Sequence, residues 1–229
     1  MKNAFKFFLT AVFAVLAFHL VQAFGPEFAG VSAAAFMSFA NLRNISEQLA
    51  NPAGIRRVGV VAVEDLLPTV IDWPTAVGPT PDVDVATMEV TTPVPLKTGK
   101  TIAVITPADN SAFMGFENQG ERYYQSYKHS IGFDLAGLTQ IQSQEVRKYV
   151  NTGAIFFVEY NDGEIRVVGS KLSPIVLKSK GDTGKKGGDK RGYVFTGDND
   201  NYVIEPPFYP ENIALPGMTT VEDEEEEGG

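Results

Sequence analysis

Few side chains in this sequence could carry out covalent or metal chemistry. The chain of 229 residues has no cysteine and two histidines, His19 and His129. The lack of cysteine excludes disulfides, thiolate metal sites and cysteine nucleophiles. His129 falls on the more apolar face of a predicted strand with no second ligand at a suitable spacing, so we interpret it as a structural residue. Because no serine lies in a nucleophile-elbow pattern either, we predict that the chain is not an enzyme and has no cofactor or metal.

A segment rich in glycine and lysine, residues 178–191 (KSKGDTGKKGGDKR), has the composition of a phosphate-binding loop. A Walker loop would need glycine at Ser179 and serine or threonine at Lys186, so this interpretation fails. We predict instead a mobile hairpin whose cations could meet an acidic surface on a neighbouring subunit. These candidate assembly residues are Lys178, Lys180, Lys185, Lys186, Lys190 and Arg191.

The charge balance argues against nucleic acid as a partner. The formal net charge is −9, although much of it comes from the acidic run at residues 222–227. Phosphate binding needs a basic surface, so we predict no specific nucleic-acid binding. Residues 211–229 read as an acidic tail that packs poorly and is disordered.

The N-terminus is hydrophobic and has three interpretations. Residues 7–23 form an apolar run after two lysines, and a second apolar run follows at residues 28–40. The first run fits a cleaved secretory signal, but the sequence after it stays apolar. A membrane-inserted hairpin and a hydrophobic helical arm buried in an assembly are the alternatives. Contact with a membrane would involve the stretch between Phe7 and Ala40.

A proline-rich stretch follows the first predicted strand, which spans residues 56–65. Residues 66–95 contain six prolines and few helix signals, so we predict a long extended arm or loop. Trp73 is the only tryptophan of the chain and lies within this stretch. It could fasten the arm to its own domain or anchor it to another subunit.

The remaining sequence predicts strands around one helix. Thr139 and Gln142 form a capping box for a helix over residues 140–150, with Gly153 as its stop. Asp162-Gly163 between two β-rich runs predicts a hairpin, and Asp198–Asp200 predicts a turn. The predicted strands cover residues 100–107, 110–117, 123–135, 154–160, 165–169, 174–178, 193–196 and 202–205.

This pattern predicts a mainly β fold, an antiparallel barrel or sandwich flanked by one short helix. We divide the chain into a hydrophobic leader (1–43), a connector with the first strand and the proline-rich arm (44–99), the β-barrel body (100–210) and the acidic tail (211–229). The charges of residues 41–57, which include Arg56 and Arg57, are typical of a solvated connector.

The order of features over about residues 123–210 resembles the C-terminal half of a phage tail-tube or ring-type virion protein, of the kind encoded by phages and prophage-like elements of Bacteroidota. A strand (YKHSIGFDL) precedes the short helix, the hairpin FFVEYNDGEIRVVGS follows, and a Gly/Asp/Lys loop leads to an aromatic strand with a Pro/Tyr exit. The resemblance covers about a third of the chain. It implies assembly in rings through edge strands and long loops.

The function expected from these features is structural. The chain would be a subunit of a phage or phage-like particle whose partners are copies of itself, in a ring or another homo-oligomer, and other virion proteins. Its location would then be the virion. The alternative is a secreted or membrane-associated β-domain that acts as a binding module, because the leader is signal-like.

Overall fold

Short runs of β-branched and aromatic residues, separated by glycine, proline and asparagine, form strands through most of the chain. The computed structural model describes residues 52–218, and residues 52–76 and 81–218 belong to one unit. The helix and strands of this part are β1 (Ile55–Ala62), β2 (Val83–Asp84), β3 (Glu89–Val90), β4 (Ala103–Ile105), β5 (Phe113–Gln119), β6 (Ser126–Ala136), α1 (Gln140–Lys148), β7 (Gly153–Tyr160), β8 (Ile165–Val168), β9 (Ile175–Val176), β10 (Lys178–Asp182), β11 (Gly192–Tyr202) and β12 (Phe208–Tyr209).

The strands form two open sheets. The larger sheet has eight strands in the order β2-β3-β12-β8-β7-β1-β4, with β9 also paired to β7. The smaller sheet has four strands in the order β10-β11-β6-β5. Strand pairs are antiparallel except for β3 with β12. The part of the chain that the structure describes is therefore mainly β with one helix, as expected. The predicted closed barrel is corrected, because within residues 52–218 each sheet ends at two edges without a strand partner.

The two sheets enclose one hydrophobic cluster, and a second cluster covers the opposite face of the larger sheet. Strand β7 lies between them, so Phe156 and Val158 face the first cluster while Ile155 and Phe157 face the second. This two-sided burial explains why β7 is almost continuously apolar rather than alternating. We call these the intersheet cluster and the far-face cluster.

The proline-rich stretch forms the cover of the far-face cluster. Leu66, Trp73, Val83 and Val90 are all buried there. The ends of the stretch meet, since Leu67 N donates to Pro95 O over 2.8 Å. The expected free arm is therefore corrected to a packed loop. The first strand, which was assigned to the connector, also belongs to the folded body, because β1 lies between β7 and β4 in the larger sheet.

The helix and the hairpin are confirmed. In the capping box of α1, Gln142 N donates to Thr139 Oγ1 and Thr139 N donates to Gln142 Oε1. The helix ends before Asn151, which has a left-handed φ of 58°, and this residue rather than Gly153 breaks the backbone. In the β7–β8 turn, Gly163 has a φ of 94° and its N–H donates to Tyr160 O. A glycine suits this position because other residues are strained there.

Two expectations about loops are corrected. Asp198–Asp200 lies inside β11, where pairing with β6 is irregular between Asn199 and Tyr202, so it is a bulged strand and not a turn. The start of the predicted disordered tail, residues 211–218, is held against the fold, because Met218 is buried in the far-face cluster and Ile102 N donates to Pro216 O.

Three predicted features fall wholly or partly outside the described residues. They are the hydrophobic leader, the start of the connector and the acidic run at residues 222–227. Within residues 52–218 no helix is long and apolar enough to cross a membrane.

Candidate assembly surfaces

Trp73 is an internal residue of its own chain. Its side chain is 1% exposed, its ring centroid lies 6.1 Å from that of Phe157, and its Nε1 donates to Thr92 Oγ1 over 3.1 Å. Thr92 Oγ1 in turn donates to Asp82 Oδ1. These contacts favour the interpretation in which Trp73 fastens the loop to its own domain over the one in which it anchors the loop to another subunit.

The glycine- and lysine-rich segment is a β-hairpin, as predicted. Strand β10 pairs with β11 from Lys178↔Thr196 to Asp182↔Gly192, and residues 183–191 connect them. We call this connection the basic loop. All six predicted cations are exposed: two lie on β10, and the other four, in the basic loop, are Lys185, Lys186, Lys190 and Arg191.

Asp189 organises the tip of the basic loop. Its Oδ2 accepts hydrogen bonds from Lys185 N and Lys186 N over 2.7 and 2.8 Å. Asp182 Oδ1 accepts another from Gly184 N over 2.9 Å. The backbone of the loop is thus folded by its own carboxylates. Among the described residues, Lys185, Lys186 and Lys190 form no ion pair.

The two edges of the smaller sheet carry different residues. On the edge strand β10, Lys178 and Lys180 share the face that points away from the intersheet cluster, because they pair with Thr196 and Val194. On the other edge, β5 carries Phe113 and Glu117 on that same face. Lysines on an edge strand discourage pairing with a like strand. Strand β5 carries a single charge, on Glu117, and so lacks comparable protection.

Two aromatic side chains of β5 contact the neighbouring strand and the larger sheet. Phe113 is 53% exposed and its ring lies over Gly132 on β6, where any Cβ would collide with it. Phe116 stacks under the Arg166 guanidinium with 5.3 Å between Cζ and the ring centroid, and Phe208 lies 3.9 Å from the same Cζ. Arg166 therefore joins the β5 edge to the larger sheet by cation–π contacts.

A groove of about 890 Å³ lies on the larger sheet, alongside β3, β12 and the β7–β8 turn. Its apolar lining comes from buried and half-buried residues, and exposed carboxylates surround it. Among the described residues these carboxylates form no ion pair. The apolar lining residues are Val90, Ile165, Phe208, Tyr209 and Ile213, and the carboxylates are Glu89, Glu164 and Glu211.

His129 is buried among the described residues. Its ring stacks on that of Tyr202 with 3.7 Å between centroids and an interplanar angle of 4°, and its Nε2 donates to Ile204 O over 2.9 Å. Burial lowers the pKa of His129 to about 4, although the bond to Ile204 O opposes this shift. The described residues contain no group of three side chains suited to hold a metal ion.

Sequence reasoning missed two features of these surfaces. The carboxylates of the groove come from three separate parts of the chain, so no local pattern could have grouped them. Arg57 was assigned to a solvated connector, yet its Nε donates to the buried Glu159 over 2.7 Å across the β1–β7 pair. The unprotected edge at β5 could have been found from its sequence, FMGFENQ, which has two phenylalanines and only one charged residue. Both phenylalanines are exposed in the structure.

A scan against models of protein families, a search of curated proteins and a search of solved structures found no match to this chain.

Proposed function

We propose that this protein is a structural subunit of a phage or phage-like particle and assembles with copies of itself through the edges of its smaller sheet. The observation that carries this proposal is the pair of open edges, β5 and β10. Each presents backbone N–H and C=O groups with no strand partner in the described chain, which is the condition for pairing with another molecule.

The direction of the strands makes the two edges compatible. The sheet has four strands and every neighbouring pair is antiparallel, so β5 and β10 also run in opposite directions. If a second copy continues the sheet in the same orientation, its β10 lies antiparallel to β5 of the first. Such a head-to-tail contact repeats from copy to copy and generates a ring or a filament.

The charges on the two edges favour this pairing. Residues that share a face must be aligned across the contact, and only two registers then place all five residues of β10 against β5. In one register Lys178 faces Glu117, and in the other Lys180 does. Opposite charges in directly facing positions stabilise a strand pair by about 0.2–1 kcal/mol. Pairing of β10 with β10 would instead bring lysines together.

The assignment to a particle rests on the resemblance of about residues 123–210 to tail-tube and ring-type virion proteins. The helix α1, the β7–β8 hairpin and the basic hairpin occur in the expected order. The alternative is a secreted or membrane-associated binding module, which the signal-like residues 7–23 favour. The intact mass of the expressed protein separates the two, because export predicts a mature chain that starts at Phe24.

Engineered disulfides test the edge contact directly, because the natural chain has no cysteine. We expect the double variant Glu117→Cys/Lys178→Cys, or Glu117→Cys/Lys180→Cys, to form a ladder of linked copies on mild oxidation of the full-length chain. The variant that responds identifies the register. Each single variant is the matched control and should stay unlinked. A monomer in sedimentation at high concentration would contradict the proposal.

A further inference from the structure

The groove on the larger sheet is a second surface with no partner among the described residues. Its volume of about 890 Å³ lies within the range of ligand sites, and its lining combines buried and half-buried apolar residues with exposed carboxylates, which we call the rim. Glu89 belongs to β3, Glu164 to the β7–β8 turn and Glu211 to the segment after β12. The fold therefore gathers three negative charges around apolar surface, an arrangement suited to a cationic side chain with an aliphatic stem.

The same chain carries a matching cationic element. The basic loop has four exposed cations, and Asp189 and Asp182 already hold its backbone in a folded conformation. A loop that is organised before binding loses less conformational entropy when it docks. Lysine stems can lie along the apolar lining while their ammonium groups reach the rim carboxylates.

We infer that the groove binds the basic loop of a second copy of this chain. The inference deepens the proposed function, on which it rests, because it names a contact beyond the strand-edge pairing. The groove lies on the larger sheet and the β5 and β10 edges lie on the smaller one. The loop and the groove are different surfaces of one molecule, so a head-to-tail contact leaves the groove of the first copy and the loop of the second copy free for further neighbours.

Zero-length cross-linking of mixed isotopes tests the contact. Full-length protein is prepared in natural and ¹⁵N-labelled form, mixed, allowed to assemble and treated with a carbodiimide, which joins a carboxylate to a lysine in close contact. We expect peptides that link Glu89, Glu164 or Glu211 of one isotope to Lys185, Lys186 or Lys190 of the other. Links found only within one isotope would place the loop in its own groove and would overturn the inference. Links from the loop to residues 222–227 alone would overturn it as well.

Neutralising substitutions supply an independent readout. We expect Glu89→Gln/Glu164→Gln/Glu211→Gln to weaken self-association in sedimentation by about tenfold or more at low salt, with a smaller difference at high salt, because rim charges act through screened electrostatics. The control is Glu64→Gln/Asp109→Asn/Glu121→Gln, which removes the same charge from exposed positions outside the groove.

The outcomes separate this contact from the strand-edge contact. If the disulfide ladder between β5 and β10 forms but the groove variant associates as the wild type does, the groove contact is wrong and the proposed function stands. If the chain neither forms the ladder nor associates, the groove contact and the proposed function are both wrong. If the ladder forms and only the groove variant weakens association, both contacts are supported.

Discussion

The proline-rich stretch at residues 66–95 was predicted to be a long extended arm or loop, and the glycine- and lysine-rich segment at residues 178–191 was predicted to be a mobile hairpin. In the structure the two segments differ in the burial of their side chains. The first buries Leu66, Trp73, Val83, Val90 and Val94 in the far-face cluster. The second buries none of its side chains. Both have low helix propensity and many turn residues, so local propensity does not distinguish them.

The difference lies in what each segment can bury. The proline-rich loop has large apolar side chains at intervals, and their burial offsets the entropy of ordering a long irregular segment. Proline further lowers that entropy cost by restricting the unfolded chain. The hairpin has no large apolar residue from 178 to 191, so its contacts must come from its charges and its strand edge. A segment with spaced apolar residues therefore packs against the core of its own chain, whereas a purely polar segment stays exposed and can contact a partner.

Removal of Trp73 should produce the largest loss of stability. We expect Trp73→Ala to lower the free energy of unfolding by about 3–5 kcal/mol, because it leaves a cavity beside Phe157. The matched control is Ile71→Ala in the same loop, whose side chain is 81% exposed and should change stability by less than about 0.5 kcal/mol. Urea denaturation measures both. Equal effects of the two variants would show that the loop is not packed in solution.

Acid should destabilise the packed part of the molecule through His129. Its pKa is about 4 when folded and 6.5 as the ordinary value, so the unfolded chain binds a proton that the folded chain does not between these two pH values. Stability is therefore full above pH 6.5 and declines as the pH falls towards 4, by about 3 kcal/mol in total. The hairpin has no histidine and contributes nothing to this difference.

The variant His129→Gln isolates this contribution, because carboxylates also titrate near pH 4. Glutamine does not titrate and can still donate to Ile204 O. Unfolding free energies of the wild type and the variant, measured from pH 7 to pH 4, should converge as the pH falls. Parallel curves would mean that His129 is protonated equally in the folded and unfolded states.

Local sequence determined much of the fold and little of the surfaces. The capping box at Thr139 and the Asp162-Gly163 turn depend on neighbouring residues only, so they were predictable. The number of sheets was not, because continuous apolar strands such as β7 fit a barrel and a two-sheet fold equally well. Whether a strand is covered on one face or two depends on distant segments, here the proline-rich loop.

The candidate surfaces follow the same division. The lysines of the hairpin are contiguous in sequence and were found from it. The rim of the groove joins Glu89, Glu164 and Glu211, which meet only because β12 inserts between β3 and β8. Likewise, the opposite directions of β5 and β10 depend on the strand order of the smaller sheet, in which β6 pairs with β11 although the two strands are far apart in the chain.

Substitutions in the basic loop should have the smallest effect on stability and therefore complete the contrast with Trp73. We expect Lys185→Ala/Lys186→Ala/Lys190→Ala to change the free energy of unfolding by less than about 0.5 kcal/mol, because these exposed side chains form no ion pair among the described residues. Self-association at low salt should nevertheless fall, while Lys185→Arg/Lys186→Arg/Lys190→Arg retains it because the charge is kept. Urea denaturation and sedimentation on the same samples measure the two properties. A loss of stability comparable to that of Trp73→Ala would show that the basic loop, like the proline-rich loop, packs against the core of its own chain.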